Sequence, residues 1–167
     1  MPFGTSYRSL RDGVLVIKDG TGSPLTVTVA CAEGDLSWTQ TKEYREQWCR
    51  DTLTGKREGR QQGCEVSFSL KVDHLISYTD NSSDPVTPYE ILDNTGSAFT
   101  TTASRGDHYA VTLQFTVSDP DAGNSGTDEV ITFTTFAPES IQFQEGDDNM
   151  LTVSGKCLET RPTIARA

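Results

Sequence analysis

A mainly antiparallel β fold with one short helix is predicted by three features of this sequence. Apolar and polar residues alternate in short runs, clusters of Gly, Asp, Asn, Ser and Pro separate the runs, and only one stretch carries helix-start chemistry. The length of 167 residues suits one domain, expected to span 1–167. The hydrophobic share of 34% is enough for a thin core when it is ordered in this way. Two packed antiparallel sheets or a barrel-like sandwich is the expected architecture.

The first expected strand is Gly13 to Lys18, closed by Asp19-Gly20 and a polar Thr-Gly-Ser-Pro stretch. Leu25, Val27, Val29 and Cys31 then share one face of a second strand, with Thr26, Thr28 and Ala30 on the other. Leu36 and Trp38 continue the pattern after Glu33-Gly34-Asp35. Lys42 to Asp51 is ambiguous, since Tyr44 and Trp48 suit a strand face or a helix face; the strand-rich context favours a strand. Asp51 to Gly63 holds three glycines and little that is apolar, so a long projecting loop is expected within 41–63. Cys64 to His74 is the cleanest strand: Cys64, Val66, Phe68, Leu70 and Val72 point one way and Glu65, Ser67, Ser69, Lys71 and Asp73 the other.

The helix is expected next. Thr87 is a good N-cap, Pro88 suits the first helical position, Glu90 completes a capping box, and Val86 can staple onto Ile91. It should end near Asp93 or Asn94, with Gly96 just beyond. Further strands are expected over Tyr109 to Val117, Val130 to Phe136, Ser140 to Gln144 and Met150 to Ser154. Turns at 119–126, Ala137-Pro138 and Gly146 to Asn149 should separate them. About 1–10 and 158–167 read as extended arms.

Charge is unevenly placed. Up to Val72 ten Lys or Arg face nine Asp or Glu, a net of +1; from Asp73 onward four face fifteen, a net of −11. Such a surface repels nucleic acid. Lys42, Arg45, Arg50, Lys56, Arg57 and Arg60 form a basic stretch diluted by Glu43, Glu46, Asp51 and Glu58, read either as solvated or as a contact with an acidic neighbour. No apolar run reaches about 18 residues, and Met1-Pro-Phe-Gly-Thr-Ser6 lacks signal-peptide regions, so the expected compartment is a cytoplasm with no membrane association.

Residues with chemical potential do not assemble into a motif. Cys31, Cys49, Cys64 and Cys157 form no Cys-x-x-Cys pair and read as small buried or half-buried apolar residues. His74 (beside Asp73 and Ser77) and His108 sit in no nucleophile signature. No phosphate-binding glycine motif occurs, and no aromatic-lined carboxylate pair is singled out for glycoside chemistry. The loop Asp119 to Glu129 is oxygen-rich but fails the EF-hand spacing, and Arg105-Gly106-Asp107 is a tripeptide frequent by chance. The chain is therefore expected to be no enzyme, with no catalytic, cofactor-binding or metal-ligating residue assigned and no cofactor.

In order along the chain, Asp12-Gly-Val-Leu-Val-Ile-Lys-Asp-Gly20, Glu33-Gly-Asp-Leu-Ser-Trp-Thr39 and Glu65-Val-Ser-Phe-Ser-Leu-Lys-Val72 resemble the opening of siphophage major tail tube proteins. Thr87-Pro-Tyr-Glu-Ile-Leu92 is similar to the short helix that follows there. Ser140-Ile-Gln-Phe-Gln-Glu-Gly146 with Met150-Leu-Thr-Val-Ser-Gly155 is similar to the closing hairpin. The resemblance implies a tail tube fold and a virion protein assembled in the bacterial host cytoplasm. Copies would form rings, six to a ring, stacked through the 41–63 loop into a conduit for DNA ejection. The implied partners are the chain itself, a tape measure protein, a tail terminator and distal tail or baseplate proteins, with DNA passing an acidic lumen without specific binding. Other readings are a tail terminator, distal tail or capsid decoration protein, or a calcium- or sugar-binding adhesion module.

Overall fold

Hydrophobic alternation becomes one large curled sheet in the computed structural model, which describes residues 13–21, 23–30, 36–77, 86–99, 109–117, 128–146 and 149–166. The strands are β1 (Gly13–Asp19), β2 (Thr26–Ala30), β3 (Ser37–Thr39), β4 (Lys42–Cys49), β5 (Thr52–Gln61), β6 (Glu65–Lys71), β7 (Val111–Val117), β8 (Glu129–Gln144), β9 (Met150–Cys157) and β10 (Thr163–Arg166). The helix α1 (Pro88–Asp93) precedes a 3-10 turn, Gly96–Ala98. Eight strands form one antiparallel sheet in the order β2-β1-β7-β8-β9-β6-β3, with β10 beside β8; β4 and β5 form a separate two-stranded sheet. The expected mainly β, sandwich-like class with one short helix is what forms, and no closed barrel is made.

The two layers are halves of one sheet. Phe68 on β6 meets Phe115 on β7 at 5.9 Å between ring centroids, although β8 and β9 lie between those strands in the sheet. Phe115 meets Phe133 at 6.1 Å, and Phe68 meets Phe136 at 5.9 Å. The sheet therefore bends over these rings, and edge-to-face packing of this kind adds to the area the rings bury. Leu15, Ile17, Leu70, Leu113, Leu151 and Val153 complete the core, each from the apolar face of its strand.

The helix forms where the sequence predicts it and packs on the core. Thr87 caps it, Glu90 completes the capping box, and Asn94 ends it in the left-handed region at φ 51°. Ile91 and Leu92 enter the core. Glu90 is fully buried, and its carboxylate accepts from Thr87 N (3.0 Å), Ser97 N (3.1 Å) and Ser77 Oγ (2.9 Å). Burial pushes the Glu90 carboxyl up, but these donors outweigh burial and the net direction is down. They bind the segments on both sides of α1 to it.

Two expectations are corrected. Residues 51–63 are not a loop: β5 runs through most of them, paired with β4. Ala137-Pro138 is not a turn, because β8 continues through it for sixteen residues. Pro138 lies beyond the last β7 partner, Phe136, and at a register irregularity with β9, where a missing N–H is tolerated. The extended C-terminal segment adds to the large sheet, β10 pairing β8 through Thr163↔Thr132 and Arg166↔Glu129. The expectations for Cys31, His108, Arg105-Gly106-Asp107 and 119–127 lie outside the described residues.

Candidate assembly surfaces

The β4–β5 hairpin is built like a projecting arm. Its turn is the residue pair Arg50-Asp51, flanked by Cys49↔Thr52, and both turn residues have positive φ (46° and 63°), as a primed two-residue hairpin turn requires. Neither is glycine, so the usual sequence signal for such a turn is missing. At the root, Arg60 N donates to Glu43 Oε2 at 3.3 Å, and Glu43 Oε1 pairs with Arg45 Nε at 3.7 Å.

Opposed residues share a face, so the register separates two chemistries. One face carries Tyr44, Glu46 paired with Lys56 (3.6 Å), Trp48 and Leu53. The other sets Arg45 directly opposite Arg57 and ends in Cys49. Like charges in opposed positions weaken a ribbon, and exposed ion pairs contribute little. Tyr44 is 52% exposed, Trp48 61% and Leu53 43%, and no residue of either strand is buried. An isolated two-stranded ribbon is marginal in water. Such an arm gains stability by lying on a second surface. Cys49, expected to be buried or half-buried, is exposed for the same reason: no strand of the large sheet covers this ribbon among the described residues. Cys64 and Cys157 are buried as expected, and all three are free thiols. Burial and the Glu65 charge push the Cys64 thiol up, and burial takes Cys157 to about 12.

A second surface lies between α1 and the outer half of β8. A recess of about 630 Å³ is lined by Tyr89, Leu92, Asp93, Tyr109, Pro138 and Glu139 among others, none of them basic among the described residues. Tyr89 OH donates to Asp93 Oδ2 at 3.1 Å; that bond and the Asp93 charge push the phenol up. Tyr109 OH donates to Ile91 O, and burial takes its pKa to about 12.

The polar face of the large sheet holds few of the acids. Register places Thr112, Gln114, Thr132, Gln142, Thr152 and Ser67 there, hydroxyls and amides instead of carboxylates. Glu65 is met by Lys156 at 3.5 Å, and Lys18 Nζ donates to Gln114 Oε1 at 3.1 Å. The described acids after Val72 other than Glu90 lie near strand ends, at the end of α1 or at the β8 irregularity. Ser77, close to His74 in sequence, is held by Glu90 and Ser97 instead. Among the described residues no group of three or more His, Cys, Asp or Glu could hold a metal ion, and no helix is long and apolar enough to cross a membrane.

No protein-family model and no curated protein matches the chain. Among solved structures, the chain is similar to the anti-feeding prophage baseplate (TM-score 0.49, 9% identity, 99% of this chain and 97% of that one). It is also similar to the extended sheath-tube complex of an extracellular contractile injection system, PVC (TM-score 0.48, 12% identity, 99% and 93%). The tube-terminating cap of the anti-feeding prophage matches at TM-score 0.56 and 12% identity, over 100% of this chain and 97% of the cap chain. End to end, the chain thus shares its fold with the matched chain of that cap structure.

Proposed function

We propose that this chain is a structural subunit of a phage tail or tail-like tube, one that self-assembles into stacked rings around a lumen. The observation that carries this reading is the β4–β5 arm, a ribbon exposed on both faces and bearing Tyr44, Trp48 and Leu53. A likeness of fold to a tube-terminating cap over the whole chain supports it. The siphophage form of the resemblance is broadened to tail-like tubes in general, since that cap belongs to the anti-feeding prophage. Ring and inter-ring contacts with itself, a tape measure protein, a terminator and baseplate proteins complete the reading, with the particle as its location. DNA passage needs only that the wall not grip phosphate. A face mainly of hydroxyls and amides, on which Lys18 bonds Gln114 and Lys156 pairs with Glu65, meets that need without a carboxylate lining.

The cap likeness favours a second reading, a terminator that forms one ring and stops. Electron microscopy of the purified protein separates the two: stacked tubes support the tube subunit, single closed rings the terminator. A monomer at every concentration and ionic strength overturns both. Deleting Thr52 to Gln62 leaves the eight-stranded sheet intact and should abolish stacking, because the arm forms its own sheet. Normal tubes from that variant would remove the arm from the interface.

A further inference from the structure

We infer that the tip of the β4–β5 arm of one copy seats in the α1–β8 recess of a second copy. Arg50 lies against Asp93 and Glu139 there, and Trp48 and Leu53 lie against Tyr89 and Pro138. This rests on the self-assembly reading above and names the surface that receives the arm.

The two surfaces match in chemistry. The tip presents Arg50, its one cation, beside Asp51 in the turn, with the exposed apolar pair Trp48 and Leu53 facing each other across the ribbon just behind. The recess presents two carboxylates above aromatic and apolar walls and, among the described residues, no cation. An arginine fits such a place twice over, by its fork to carboxylate oxygens and by its plane on a tyrosine ring. Over the whole arm, Lys42, Arg45, Arg50, Lys56, Arg57 and Arg60 outnumber Glu43, Glu46, Asp51 and Glu58, so approach to an acidic recess is favoured at long range as well.

The chain's own arm does not fill its own recess. The arm starts just after β3, whose Thr39 pairs Glu65; Glu65 pairs Lys156, and Lys156 pairs Ala137 beside the recess. Root and recess wall are thus near neighbours, whereas eight residues of strand carry the tip roughly 25 Å beyond the root. Both faces of the arm are exposed, so it does not fold back. The tip and the recess are different patches, which makes the contact heterologous. Such contacts propagate into rings or stacks instead of closing a two-fold dimer.

The test compares wild type, R50D, D93R and the double swap R50D/D93R by sedimentation velocity over a concentration series and by negative-stain microscopy. Far-ultraviolet circular dichroism melts check that the variants fold. Each single reversal should weaken self-association at least about tenfold, the scale of a charge pair lost from an interface, and the double swap should restore most of it. W48S, also on the exposed tip, should weaken association without lowering the melting temperature of the dilute, unassembled subunit. Wild-type assembly from both single variants would overturn this pairing and leave the tube reading intact. Loss without rescue in the double swap would overturn the Arg50–Asp93 pairing. A wild type that stays monomeric would overturn the pairing together with the reading beneath it.

Discussion

Replacing Glu90 by Gln removes one negative charge from the interior and leaves the shape almost unchanged. The carboxylate takes Ser77 Oγ and Ser97 N on one oxygen and Thr87 N and Thr87 Oγ1 on the other. A glutamine has one oxygen and one NH2, so either orientation sets the NH2 against a backbone N–H, of Ser97 or of Thr87. One buried donor is then unsatisfied, which costs about 1 to 3 kcal/mol. At about 2 kcal/mol the melting temperature of a chain this long falls by roughly 4 to 8 °C. The pH dependence adds a second signature. Because the folded carboxyl is lowered from its ordinary 4.5, its stabilisation is fully present above that value. It is lost as pH falls through the lower folded value. The gap between wild type and E90Q should therefore be constant from pH 6 to 8 (~6–8) and narrow below about 4.5. Calorimetry of both proteins across pH measures this directly. Equal melting temperatures at neutral pH, or a gap that does not change with acid, would refute the account of Glu90 as an ionised strut.

Gly96→Ala should be destabilising, since Gly96 has φ 56° and an added Cβ would collide with Glu90 Oε1; a lower denaturant midpoint checks it. Phe68→Ala, at the meeting point of Phe115 and Phe136, should cost about 3 to 5 kcal/mol by chemical denaturation, the range for a buried aromatic ring. Of Cys49, Cys64 and Cys157, only Cys49 should react with a thiol reagent in the native state, so C49S should remove a fast-reacting thiol that C64S and C157S leave in place.

Legibility in the sequence followed burial. Glu65 to Lys71 and Val111 to Val117 were readable because one face of each is dry and the other wet. The α1 cap was readable because Thr87, Pro88 and Glu90 act within one turn. In the arm, β4 was legible only through its strand-rich context and β5 was not, since alternation appears only where one side is buried, and β5 has no buried side. Its signal lay across the strands: Trp48 opposes Leu53 only once Arg50 and Asp51 are taken as the turn, and Glu46 meets Lys56 only after the further register shift between Gln47 and Trp48. Pro138 looked like punctuation because the sequence does not reveal that β7 has already ended beside it.

By itself the sequence determined the class of fold, most of the strand faces and the helix ends, all set by contacts within a few residues. It also determined the charge imbalance and the absence of a recognisable catalytic motif. The tertiary structure decided that the two layers are one sheet, that β10 pairs with β8, and that Glu90 gathers donors from Ser77 and Ser97. It also brought Asp93 and Glu139 to one recess and held the arm away from the core. Each of these depends on which distant segments meet, and pairing across long stretches of chain leaves no local period to read.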